Sequence, residues 1–221
     1  MADATPHTLA KIQTAIAGAC KIARRSPQQV ALIAVSKTRT AEEIRPLLEA
    51  GQRVFGENRV QEAGAKWPTL RAEYSSCELH LIGQLQSNKA DEAVAIFDCI
   101  HVLDRPSLAT ALGKAMRTQN KPVPCFIQVN IGEEEQKGGC AIADLPALLE
   151  QARAESIPVI GLMCLPPADI EPAPFFALLA ELAARHDLPN LSMGMSEDFE
   201  TAILLGATHI RVGTALFGRR D

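Results

Sequence analysis

Aromatic residues are scarce: seven Phe, one Tyr (Tyr74) and one Trp (Trp67) among 221 residues. A basic surplus is also missing, since 22 Lys and Arg face 26 Asp and Glu for a net charge of −4. That balance argues against a general binder of nucleic acid or anionic membrane, which works through clustered cations. No apolar run approaches the ~20 residues of a membrane-spanning helix. The six cysteines (Cys20, Cys77, Cys99, Cys125, Cys140 and Cys164) form no CxxC and no Cys/His group at zinc spacing, so no metal site is expected. Reduced, structural thiols are expected instead. No GxGxxG follows the first strand-like run, which removes the mark of a dinucleotide fold. The opening MADATPHTLAKIQTAIAGACK lacks a basic start, and Lys11, Gln13 and Thr14 interrupt any apolar stretch. A secretory signal is therefore not expected, and the compartment reads as cytoplasmic. With no linker-like stretch and no repeat, the chain reads as one domain over residues 1–221.

What is present is a regular alternation. An amphipathic helix is expected over about residues 8–25, because Leu9, Ile12, Ala15, Ile16 and Ala19 recur at helical spacing. Eight short apolar, β-branched runs follow, at Val30–Ser36, Arg53–Gly56, Leu79–Gly83, Cys99–Leu103, Pro124–Ile131, Pro158–Leu165, Asn190–Met195 and Thr208–Val212. Seven segments of helical period separate them. Thr40, Ser87 and Ser196 stand where N-caps belong, and Gly51 and Gly206 where helices end. Pro46 should kink or shorten the second helix. This order suggests a parallel sheet closed into a (β/α)8 TIM barrel with an extra N-terminal helix. An open doubly wound sheet is the competing arrangement.

In such a barrel the working residues collect at the C-terminal ends of the strands. The first run leads directly into Lys37, which by alternation shares a face with Ile33 and Val35. At a barrel mouth, desolvation would lower its pKa, and a neutral amine can attack an aldehyde to form a Schiff base. A solvated lysine at a strand-to-loop junction is the plain alternative. In the last run, HIRVGTALFG, residues His209, Arg211 and Gly213 share one face. If the barrel closes, Arg211 neighbours Lys37. Gly213 permits close backbone approach and Thr214 opens a helix, while the SMGMS loop brings Gly194 and Ser196. Glu197 and Asp198 would repel an anion on that helix end, so Ser196 should reach a phosphate from its side and the amides at Gly213 and Thr214 should carry most of it. Together these features describe a site for a phosphorylated aldehyde such as pyridoxal phosphate. A Schiff-base aldolase using Lys37 without a cofactor would need the same lysine. His80 and His101 read as structural histidines, and His209 as a residue below Arg211. Glu57 and Asn58 either serve the site or cap the next helix. Glu133 to Gly139 reads as a solvated loop or a mobile rim.

The segments VSKT, FGENRVQE, IGQLQSNK, GLMCLPP, LSMGMSEDFETAI and IRVGTALFG, in this order, resemble the pyridoxal phosphate homeostasis protein family from about Val30 to Arg219. The resemblance implies a fold-type III pyridoxal phosphate barrel, similar to the N-terminal domain of alanine racemase and lacking its second β domain. It also implies pyridoxal 5′-phosphate as an internal aldimine on Lys37. Phosphate would sit around Ser196, Gly213 and Thr214, with Arg211 facing the pyridine nitrogen and Asn58 near the ring. Gln84 and Arg59 depart from residues common in the family, His and Tyr respectively. An arginine at the ring nitrogen disfavours its protonation and weakens the ring as an electron sink. A two-base racemase also needs an acid on the far face, and Tyr74 falls in the polar stretch before the third strand. The expectation is therefore a non-catalytic carrier that supplies pyridoxal phosphate to apoenzymes, as a monomer or weak dimer without nucleic acid or membrane. A racemase-like enzyme of low activity is the alternative.

Overall fold

A computed structural model describes residues 6–218; the ends of the expected 1–221 domain, Arg219 included, lie outside the described residues. Eight strands run in chain order: β1 (Ala31–Val35), β2 (Val54–Glu57), β3 (Glu78–Leu81), β4 (Cys99–Leu103), β5 (Cys125–Val129), β6 (Val159–Cys164), β7 (Asn190–Ser192) and β8 (His209–Val212). Each pairs in parallel with the next, and β8 pairs with β1 to close the barrel, setting Ile33 opposite Arg211. The open doubly wound sheet is thereby excluded. Seven helices fill the crossovers: α2 (Ala41–Glu49), α3 (Val60–Glu73), α4 (Ala90–Ile96), α5 (Pro106–Gln119), α6 (Leu145–Ala154), α7 (Ala173–Arg185) and α8 (Phe199–Leu204). A short α9 (Thr214–Phe217) follows β8.

The helical stripes bury against the outside of the sheet. Phe55 of β2 meets Trp67 of α3 with ring centroids 5.0 Å apart, and both are fully buried. Truncating Trp67 to alanine would cost about 3–5 kcal/mol in lost burial and a residual cavity. The N-terminal helix α1 spans Pro6–Ile22, not 8–25. It stops because Arg24 enters the left-handed region at φ 54°, and Arg25 turns away to donate to the carbonyls of Ile203 and Ala207. Its apolar side, with Leu9, Ile12 and Ile16, is buried, and α1 packs against α8 and α9.

The expected cap at Thr40 forms a reciprocal pair. Its hydroxyl accepts the Glu43 N–H at 3.3 Å and its own N–H donates to the Glu43 carboxylate at 2.7 Å. That hydrogen bond also holds the Glu43 carboxyl below its ordinary pKa. Ser87 and Ser196 do not cap. Ser87 opens a single 3-10 turn, where its oxygen accepts from Arg105, and Asp198 holds the cap position of α8. Gly51 and Gly206 end their helices at φ 95° and 101°, conformations that glycine adopts without steric cost. Pro46 does not shorten α2, which continues to Glu49. The carbonyl it deprives of a partner belongs to the exposed Glu42.

Candidate cofactor-binding site

At the C-terminal ends of the strands a cavity of about 720 Å³ opens, and Lys37, Asn58, Ser196, Arg211, Gly213 and Thr214 all line it. Val35, Ile82 and Leu165 supply apolar walls, while Met195, Glu197 and Asp198 stand along one side. Loop residues just past β1, β2, β7 and β8 carry most of the polar groups, as barrel topology requires. Tyr74 follows the end of α3 and does not line the cavity. The two departures from the family pattern, Gln84 and Arg59, are exposed and lie outside the lining.

On the first wall, Lys37 stands two residues beyond β1, partly exposed. Among the described residues its amine has no hydrogen-bond or ion-pair partner. Asn58 lies one residue past β2, and its backbone approaches so closely that a Cβ on Gly83 would fall 2.4 Å from the Asn58 carbonyl oxygen. Neither Glu57 nor Asn58 caps α3, whose cap position is Arg59. Glu57 is instead the last residue of β2, fully buried, with its carboxylate 2.8 Å from Nζ of Lys66. Sequence reading missed Lys66. The only available signal was a lysine on the otherwise buried stripe of α3.

On the adjoining wall, past β7 and β8, the Ser196 hydroxyl accepts from the N–H groups of Gly213 and Ala215, both at 3.3 Å. These are long contacts, which another oxygen acceptor can replace at little cost. Gly194, at φ 93°, makes the turn that brings Ser196 there. Asp198 is tied back into the same loop, accepting the Met195 N–H at 2.5 Å. Arg211 is buried, and its Nη1 donates to the Ser192 hydroxyl at 2.6 Å and Nη2 to the Cys164 carbonyl at 2.8 Å. Burial pushes its pKa down from the ordinary value. Arginine starts so high that it remains a cation.

Beneath Arg211 the barrel interior is filled with histidine. Ser192 Oγ is 2.8 Å from His101 Nδ1, and His101 Nε2 is 3.0 Å from His80 Nδ1. Arginine can only donate, and among the described residues Ser192 Oγ has no partners besides Arg211 and His101. The serine proton therefore goes to His101, which then donates through Nε2 to His80. Both histidines are buried and bonded, as a structural role requires. Burial pushes His101 well below its ordinary pKa and brings His209 down to about 4, with His80 and Arg211 adding like-charge repulsion. His209 packs edge-on to Phe126 at 5.0 Å in the same interior.

The ligand atoms of His80, Cys99 and His101 lie within 4.8 Å of one another, a grouping invisible in the spacing because it joins two strands. The facing imidazole nitrogens are already engaged with each other. All six cysteines are free and buried, and burial pushes Cys140 and Cys164 up to about 12. The Glu133 to Gly139 stretch is tied down more than a solvated loop would be. Asn130 and Glu134 exchange hydrogen bonds, Lys137 donates to the Pro166 carbonyl at 3.0 Å, and Gln128 donates to the Gly138 carbonyl at 2.9 Å.

Among the described residues no helix is long and apolar enough to cross a membrane. The alanine racemase N-terminal domain family model matches residues 2–221. A pyridoxal phosphate homeostasis protein of Pseudomonas aeruginosa is 42% identical over 223 residues, covering 97% of this chain and 95% of the relative. The Aquifex aeolicus protein of that name is 40% identical, with 96% of each covered. PipY of Synechococcus elongatus, solved with pyridoxal phosphate bound, superimposes with a TM-score of 0.79 at 40% identity, covering 92% of this chain and all of that one. Alanine racemase of Clostridium difficile shares the barrel alone, with a TM-score of 0.70 at 12% identity over 94% of this chain and 56% of that one. With a closed eight-stranded barrel, a lysine just past its first strand and full-length relatives of one name, the chain belongs to the pyridoxal phosphate homeostasis protein family.

Proposed function

We propose that this chain is a single-domain, cytosolic holder of pyridoxal 5′-phosphate. Lys37 carries the cofactor as a Schiff base, and the protein supplies it to apoenzymes. The observation that carries the reading is the convergence of an unpaired amine (Lys37), a fixed cation (Arg211) and a hydroxyl–amide group (Ser196, Gly213, Thr214) in one cavity. The binding of pyridoxal phosphate by PipY, at 40% identity, supports the choice of ligand. Six buried free thiols fit a reducing compartment.

The residues divide the work. Ser196 and the amides of Gly213 and Thr214 receive phosphate oxygens, and Asn58 borders the ring. The cofactor supplies a reactive aldehyde. The Lys37 amine attacks that carbon, forming the C=N bond and releasing water. Arg211, tethered at two nitrogens, faces the ring nitrogen as a permanent cation and opposes its protonation, which keeps the ring a weak electron sink. The only tyrosine, Tyr74, does not line the cavity, so no phenol stands there as the second base of a racemase.

Borohydride reduction followed by mass spectrometry tests this reading. One pyridoxyl group on Lys37 is expected, and an adduct on other lysines alone would overturn the assignment. Mixing the loaded protein with amino acids should give no steady turnover. Sustained racemisation would replace the holder with an enzyme.

A further inference from the structure

We propose that Lys66, together with Glu57, is a positioning residue that clamps the loop presenting Lys37, so that bond formation to an aldehyde depends on it while anion binding does not. The inference rests on the reading of Lys37 as the amine that condenses with the ligand. The segment between β1 and α2 places Thr38 at φ 60°, a conformation that costs a non-glycine residue free energy and must be held by its surroundings. Lys66 of α3 holds it from behind. Its Nζ donates to the carbonyl of Ser36 at 2.8 Å and to that of Arg39 at 3.0 Å, the residues on either side of Lys37 and Thr38.

The same ammonium is 2.8 Å from Glu57 Oε1 and 3.2 Å from Glu62 Oε1. Each carboxylate also grips the loop directly. Glu57 Oε1 accepts the Ser36 hydroxyl at 2.5 Å and the Trp67 indole N–H at 3.1 Å, while Glu62 accepts the Thr38 N–H. Four oxygens thus surround an ammonium that has three protons. Lys66 lies outside the cavity lining, with its side chain only 11% exposed. It is a saturated cation and cannot serve as the nucleophile. The two neighbouring lysines therefore have opposite roles: one fully occupied and holding the backbone, one unpaired and aimed into the cavity.

Imine formation needs the amine within bonding approach of the carbonyl carbon, and a misplacement of about 1 Å can cost on the order of a hundredfold in rate. The proposed phosphate contacts, Ser196 and the amides of Gly213 and Thr214, come from the loops after β7 and β8; the clamped loop meets that wall at the far end of α9, where Arg39 donates to the Gly218 carbonyl at 3.0 Å and lies over the Phe217 ring. The experiment compares the rate of borohydride-trappable adduct formation on Lys37 with the affinity for pyridoxine 5′-phosphate, which keeps the phosphate and lacks the aldehyde. In Lys66→Met the adduct rate should fall about tenfold or more, with pyridoxine 5′-phosphate affinity changed less than about twofold. Removing one member of a buried ion pair leaves the other uncompensated. The double variant Lys66→Met/Glu57→Gln removes both charges, and Glu62→Gln weakens the same clamp from a partly exposed site; it should slow trapping by about threefold. An unchanged trapping rate in folded variants, or equal losses for both ligands, would overturn the clamp alone. A wild-type protein giving no adduct on Lys37 would instead overturn the functional reading beneath it.

Discussion

The two walls of the cavity are built by opposite electrostatic means. Behind Lys37, the loop is fastened by a buried ion pair, Lys66 to Glu57, with carbonyls and a hydroxyl gathered around it. Behind Arg211, the support is a run of hydrogen-bonding groups with no buried ion pair: a serine, two histidines and a backbone carbonyl, with the exposed Glu78 carboxylate 3.6 Å from His80 Nε2 at the far end. A flexible lysine stem needs its backbone held while its amine stays free. A recognition arginine needs its own guanidinium fixed, which tethering two of its nitrogens accomplishes. On the proposed function, the difference separates a wall that would form a bond from a wall that would bind.

Substitutions and acid can set the walls against each other. The largest expected effect is that of Lys37→Ala: no borohydride-trapped adduct forms, while folding stability measured by urea changes by no more than about 0.5 kcal/mol, since the side chain is partly exposed and unpaired. A trapped adduct at wild-type yield would show that the first wall has been misassigned.

Acid should attack the second wall. His209 titrates near 4 in the fold against about 6.5 when unfolded, so the unfolded chain binds more protons in that interval. Stability is accordingly flat above neutral pH with respect to this group, falls as pH drops from about 6.5 to about 4, and levels off below that. The loss from His209 alone is roughly 3 kcal/mol, and His101 adds in the same direction. Urea midpoints across this range should fall steeply for the wild type and less for His209→Asn. Equal slopes would remove His209 from the account.

A smaller effect is expected at the loop carrying Ser196. An alanine at position 194 would sit at φ +93° with its Cβ 2.6 Å from that of Ala202. Gly194→Ala should cost about 1–3 kcal/mol of stability and weaken pyridoxine 5′-phosphate binding, with Lys37 still trapped by borohydride in proportion to the ligand that binds. Smallest is Ser196→Ala, which removes one hydroxyl, worth about 1 kcal/mol or roughly fivefold in Kd. Isothermal titration with pyridoxine 5′-phosphate reads that change, and an affinity equal to wild type would place the anion on the amides alone.

The residues that line the cavity were legible because each is announced locally. Lys37 ends a β-branched run, Arg211 and Gly213 share a face of the last run, and Ser196 sits in a glycine turn. The supports were not legible. Glu57 and Lys66 lie nine positions apart across a strand–helix junction, and a charged pair in a polar stretch looks like surface until its burial is seen. His80 and His101 meet only because β3 and β4 are neighbours. Ser196 looked like a helix cap, yet its oxygen turned to the amides of Gly213 and Ala215, since the loop could leave Asp198 at the cap position.

The amino-acid order determined the alternation of strands and helices, the closure-compatible count of eight, and which side chains stand at the strand ends, because period and turn chemistry are short-range properties. Tertiary structure alone decided what stands behind those side chains. Hydrogen bonds and ion pairs between elements distant in sequence depend on which strands become neighbours, and burial then sets whether a histidine stays neutral and whether a lysine is spent or free.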